Sequence, residues 1–326
     1  MKKFILSATF ALITFCASAA FGDIFSEMYL NYLVMDDDAS TDYPKVWVIG
    51  PSTAGSTQPN LSLSIPTAVT HDGVTYRVTQ IDAKAFSGKT NIVQASIGYG
   101  ITHIGNEAFK GCSKLVYVRI PSSIQSIGDN AFASCSALKE VNIANDDPST
   151  FTTSASAFPS NSDMTLGVAK TNDLRTVTAF NNLSQYSKFA TIELSSAAYD
   201  FTTDDSFAMC VTKAPSKGVP GEVKLVGVFG NSTGSFAPQA TYTHSVYSYK
   251  LVATGFRSCK DQTQIKSFDF SNATNLKTID CYTFSGCTNL TSVNLGSTVD
   301  QIELYAFENV PISSITIPKS VSYIGY

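Results

Sequence analysis

Charge is scarce in this chain of 326 residues: Asp, Glu, Lys and Arg make up 15%, and the net charge is only −4. No basic cluster interrupts the sequence, so the electrostatic footprint of a nucleic-acid or anionic-membrane binder is missing. Histidine is rarer still, and the three present, His71, His103 and His244, have neither the H-x-x-x-H nor the H-E-x-x-H spacing of a zinc site. They read as polar surface residues. There is no G-x-S-x-G, no phosphate-binding glycine loop, and no cysteine in a protease context. The acidic run Asp36-Asp37-Asp38 with Asp42 lacks the glycine and terminal glutamate of an EF-hand loop and reads as a solvated turn, as do Asp146-Asp147 and Asp204-Asp205. These absences predict a non-catalytic chain with no cofactor and no metal. Long apolar runs are also few. Only MKKFILSATFALITFCASAAFG is rich in them, and two lysines, an apolar stretch and small residues near Ala19 and Ala20 mark residues 1–22 as a secretory signal peptide. Phe15 before Cys16 argues against lipid attachment there. No later stretch approaches the ~20 apolar residues that span a bilayer, so no transmembrane span is expected.

What the chain does have is repetition. IGNEAFKGCSKLVYVRI at 104–120 is nearly restated as IGDNAFASCSALKEVNI at 127–143, and Phe86, Phe109 and Phe132 are spaced by 23 residues, as are Phe284 and Phe307. Leu115, Val118 and Ile120 alternate with polar residues as in a short strand with one buried face, and Leu138, Val141, Ile143 and Leu290, Val293, Leu295 repeat the pattern. Pro121 and Pro318 end their strands. The Ile-Gly steps at Gly105, Gly128 and Gly325 are expected to supply a tight turn before each Ala-Phe pair. One coil cannot bury its apolar edge alone; coils stacked about 4.8 Å apart can. The predicted fold class is a β-rich leucine-rich-repeat solenoid with short helical turns, in two arrays each preceded by a small β-module.

Cys112, Cys135, Cys259 and Cys287 each follow their repeat's Phe by three residues, which places them on one rung as buried free thiols. Cys210 and Cys281 lie outside that rung, and the sequence leaves their pairing open. The repeats divide the chain into the signal peptide at 1–22, a β-module at 23–80, a first array at 81–195 closed by a helical cap, a second β-module at 196–250 and a second array at 251–326. Leu251 to Phe256 echo Ile81 to Phe86, which suggests tandem duplication. The last coil stops at Tyr326 before its Ala-Phe pair, so open coil ends give a route to self-association.

The I-G-x-x-A-F-x-x-C-x-x-L run with its following I-P resembles the BspA-type leucine-rich repeats of bacterial surface proteins, over about residues 81–143 and 251–326. The resemblance implies a secreted or cell-surface location and adhesion to a protein ligand, such as a host extracellular matrix or cell-surface protein. In a solenoid the outward strand positions form columns that a partner reads. In the first array these are Gln94, Tyr117 and Glu140 beside Ser96, Arg119 and Asn142; in the second, Ser267, Ser292 and Ser314 beside Asp269, Asn294 and Thr316. Tyr and Arg are enriched at binding hot spots, so Tyr117 and Arg119, with Glu140 and Asn142, form the candidate binding site. A self-assembling envelope-structural protein and an accessory module of a glycan-active system are the alternatives.

Overall fold

A computed structural model describes residues 22–36, 43–170, 175–195, 197–203, 206–230 and 233–326. Residues 1–21 of the signal peptide, Cys16 among them, and the acidic residues Asp37, Asp38, Asp42, Asp204 and Asp205 lie outside them.

In the first array each coil gives one strand to each of two sheets. In the first half an eight-stranded sheet runs Ile24–Glu27, Leu30–Asp36, Lys45–Pro51, Val74–Ile81, His103–Ile104, Ser126–Ile127, Thr152–Thr153, with Ala68–His71 paired to Val74–Ile81. Opposite it stands a parallel sheet of six: Leu61–Ile65, Ile92–Ile97, Tyr117–Ile120, Glu140–Ile143, Thr165–Ala169 and Thr191–Ser195. Between the sheets, Phe86, Phe109, Phe132 and Phe158 form a ladder with ring centroids 5.0, 5.2 and 5.4 Å apart and planes within 14°. The spacing follows from stacked coils about 4.8 Å apart. Phe189 meets the last rung edge-on, and the short helix Arg175–Asn181 brings Phe180 beneath the same coil. The chain then returns as Thr191–Ser195, the sixth strand of the parallel sheet.

The thiols sit on one rung, as expected, for a reason the spacing did not give. Cys112 donates to the Phe86 carbonyl at 3.2 Å, Cys135 to that of Phe109 at 3.1 Å and Cys287 to that of Cys259 at 2.9 Å. A small, weak S–H donor thus satisfies a buried carbonyl of the preceding coil. All six described cysteines, Cys210 and Cys281 included, are free. The Ile-Gly expectation needs correction. A Cβ on Gly105 would lie 2.5 Å from the Ala83 nitrogen, so this glycine is required by close approach of the coils. The left-handed turn falls two residues later, at Lys84, Glu107 and Asn130, with φ of 60°, 58° and 55°.

The second half repeats the eight-stranded sheet of the first strand for strand. Its eight-stranded sheet runs Phe201–Thr202, Phe207–Lys213, Gly221–Val228, Tyr247–Thr254, Thr278–Ile279, Gln301–Ile302, Tyr323–Ile324, with Thr241–His244 paired to Tyr247–Thr254. Even the irregularities match: register shifts between Asn31 and Tyr32 and between Val34 and Asp36 recur between Ala208 and Met209 and between Val211 and Lys213. Phe25 stacked on His71 at 4.2 Å has its counterpart in Phe201 stacked on His244 at 4.5 Å. A second parallel sheet joins Ser235–Phe236, Ser267–Asp269 and Ser292–Asn294. Ser314 and Thr316 lie outside any strand, so the outer column of the second array is formed by Ser267 and Ser292 beside Asp269 and Asn294.

The two halves meet along a seam. Ala144 and Ala169 of the first array pack against Ala198, Ala208, Cys210 and Val226, small residues that let the sheets approach closely.

Candidate functional site

Parallel pairing in register sets Tyr117 beside Glu140 and Arg119 beside Asn142, as the repeat's own ruler predicts. Asn142 donates to Glu140 Oε1 at 2.6 Å, and Asn142 is fully buried. The next position of its column is Gly167, where a Cβ would collide with the Asn142 side chain. The amide therefore has room only because glycine follows it. Tyr117, Arg119 and Glu140 are half-buried.

Part of this cover comes from the second half. The guanidinium of Arg119 lies 4.1 Å from the centroid of the Tyr199 ring, a cation–π contact across the seam. Next to Tyr199, the buried carboxylate of Asp200 accepts from the Ser122 amide, the Ser122 hydroxyl and the Val211 amide, each at 2.7 Å. Burial pushes its pKa up to about 6 against the pull of those donors and of Arg119. Tyr117 is raised chiefly by burial, with Tyr199 and Glu140 adding and Arg119 opposing. His244, stacked on Phe201, is held below its usual range by burial and then by Arg119, which favours the neutral imidazole. The Thr67 hydroxyl lies 3.5 Å from its Nε2.

Between these groups opens a cleft of about 320 Å³, lined on one side by Ser64, Thr67, Ser96 and Arg119 and on the other by Asp200, Phe201 and His244. A larger cleft of about 500 Å³ lies on the far side of Asp200, but its charges are engaged: Lys224 pairs with Asp280 at 3.4 Å and Asp147 holds Ser149. Among the described residues, no group of three His, Cys, Asp or Glu side chains converges as metal ligands would.

Sequence reasoning brought Tyr117, Arg119, Glu140 and Asn142 together and missed Thr67, Tyr199, Asp200 and His244. His244, read as a surface residue, is half-buried in the seam, whereas His103 is exposed and His71 pairs with Glu27 at 2.8 Å. No helix among the described residues is long and apolar enough to cross a membrane.

Comparison with known proteins gives the lineage. No curated protein matches the chain. Among solved structures, a leucine-rich repeat protein from Bacteroides capillosus is 24% identical, covering 44% of this chain and 97% of its own, with a TM-score of 0.37. One from Bacteroides ovatus is 20% identical over 92% of this chain and 61% of its own, TM-score 0.33. A leucine-rich cell surface protein from Faecalibacterium prausnitzii is 16% identical over 94% and 91%, TM-score 0.30. The model of the BspA type leucine rich repeat region matches in six copies at residues 74–187 and 254–326, more than half of the chain. The chain therefore belongs to the BspA-type leucine-rich-repeat family.

Proposed function

We propose that this is a secreted or surface-displayed, non-catalytic binding protein whose first array, with the seam beside it, engages a protein ligand of the host matrix or cell surface. The observation that carries the reading is Arg119, which shares the outer sheet face with Tyr117 and Glu140, is covered by Tyr199 and lines the cleft at the seam. Tyr and Arg anchors beside a concave, partly desolvated site are the usual composition of a binding hot spot. Membership in a family of repeat scaffolds supports a role through surface rather than chemistry. The test is saturable binding of the chain from Asp23 to Tyr326 to a panel of extracellular matrix proteins and intact host cells.

A further inference from the structure

At the seam, the contact that holds the Arg119 guanidinium is a ring face. The Arg119 guanidinium makes no hydrogen bond or ion pair with a described residue, and its Nε is sealed from solvent with no acceptor. Tyr199 covers one face of the guanidinium and the Nε is sealed, so a ligand in the cleft meets Arg119 through its terminal N–H groups, whose planar edge matches a carboxylate.

We infer that the cleft between Arg119 and the Phe201–His244 pair is a binding site for a sugar acid, a pyranose ring carrying a carboxylate. The proposal deepens the binding reading above and rests on it. The acid is assigned to Arg119. Asp200 does not compete for it, because both its oxygens already accept bonds from Ser122 and Val211. Asp200 also lines the cleft and takes up part of the Arg119 charge, so the one cation there suits a single negative charge better than a phosphate dianion. The ring is assigned to the walls. Ser64, Thr67 and Ser96 bring hydroxyl-bearing side chains to one side, and the stacked Phe201–His244 pair lines the other. A polyhydroxylated ring uses both kinds of wall, whereas an acidic peptide side chain uses only Arg119. At about 320 Å³ the cleft lies at the small end of ligand pockets, about 300–1,000 Å³, and holds one ring rather than a chain of them.

The experiment titrates the chain from Asp23 to Tyr326 with D-glucuronate, D-glucose and glutarate, read by calorimetry. Glucuronate is expected to saturate, and glucose, which lacks the acid, and glutarate, which lacks the ring, to bind about tenfold more weakly or less. Arg119→Met is expected to lose glucuronate by a similar factor. Ser96→Leu, which fills the cleft and leaves the guanidinium in place, should lose it too, so the result does not depend on one variant folding. Absence of saturation with glucuronate, equal binding of either control compound, or unchanged affinity in both variants would overturn the proposal. Matrix binding without glucuronate binding would overturn this inference alone; glucuronate binding without any matrix or cell binding would overturn only the function proposed above.

Discussion

Asp200 is the residue whose loss most directly opens the seam. Its carboxylate accepts two backbone amides and one hydroxyl, from Ser122 on the first array and Val211 on the second half. Asp200→Ala strands the Ser122 and Val211 amides, at about 1–3 kcal/mol for each buried donor left unpaired. Both donors are only partly buried, so the expected loss at neutral pH is about 2–4 kcal/mol. Ser122→Ala removes the hydroxyl alone and should cost about 0.5–1.5 kcal/mol. The pH dependence has an unusual sign. The folded pKa is raised to about 6 from 3.8, so between those values the folded chain binds a proton that the unfolded chain does not. This group's contribution therefore grows as pH falls through 6 and is lost as pH rises. The full excursion is about 3 kcal/mol at one pKa unit per 1.36 kcal/mol. The protonated acid keeps its contacts if the Ser122 hydroxyl turns from donor to acceptor. Urea unfolding of the full chain at pH 7 and at pH 5, for the parent and Asp200→Ala, reads both effects. A parent that loses stability from pH 7 to pH 5, or a variant that keeps the parent's slope, would refute the reasoning.

Two further outcomes follow from the ladder and the thiols. Phe109, fully buried and stacked between Phe86 and Phe132, should cost about 3–5 kcal/mol as Phe109→Ala, measured by the shift in the urea midpoint at unchanged slope. Iodoacetamide should modify native Cys281 alone among the described cysteines, because the other five are buried; burial first, then Asp280 and Glu303, raise the Cys281 thiol, so its labelling should speed up only above the usual cysteine range. Peptide mapping that finds Cys112 or Cys135 labelled in the folded chain would contradict the rung.

The repeat was legible because its chemistry is local. A Phe returning every 23 residues, with Leu, Val and Ile at fixed offsets, fixes which side chains stack, and the same ruler put Tyr117 beside Glu140 and Arg119 beside Asn142. The glycines were misread for a physical reason: a sequence marks where a Cβ is missing, but not whether φ or a neighbouring coil forbids it. At Gly105 the neighbour is Ala83. The seam was not legible at all. Asp200 reaches Ser122 across 78 residues and His244 reaches Thr67 across 177, and no periodicity relates them. What the sequence offered as an exposed column is in part a half-buried one, because Tyr199 returns over Arg119 from beyond the last strand of the first array.

The central claim is that the outer face of the first array and its seam form the contact surface for a partner. The most direct test compares the parent chain with the Tyr117→Ala, Arg119→Ala pair, folded to the same melting temperature, in titration against the matrix protein that binds the parent most tightly. The account predicts saturable binding by the parent and a loss of about tenfold or more in the variant, as for two hot-spot residues. Equal affinity of the two chains would contradict it.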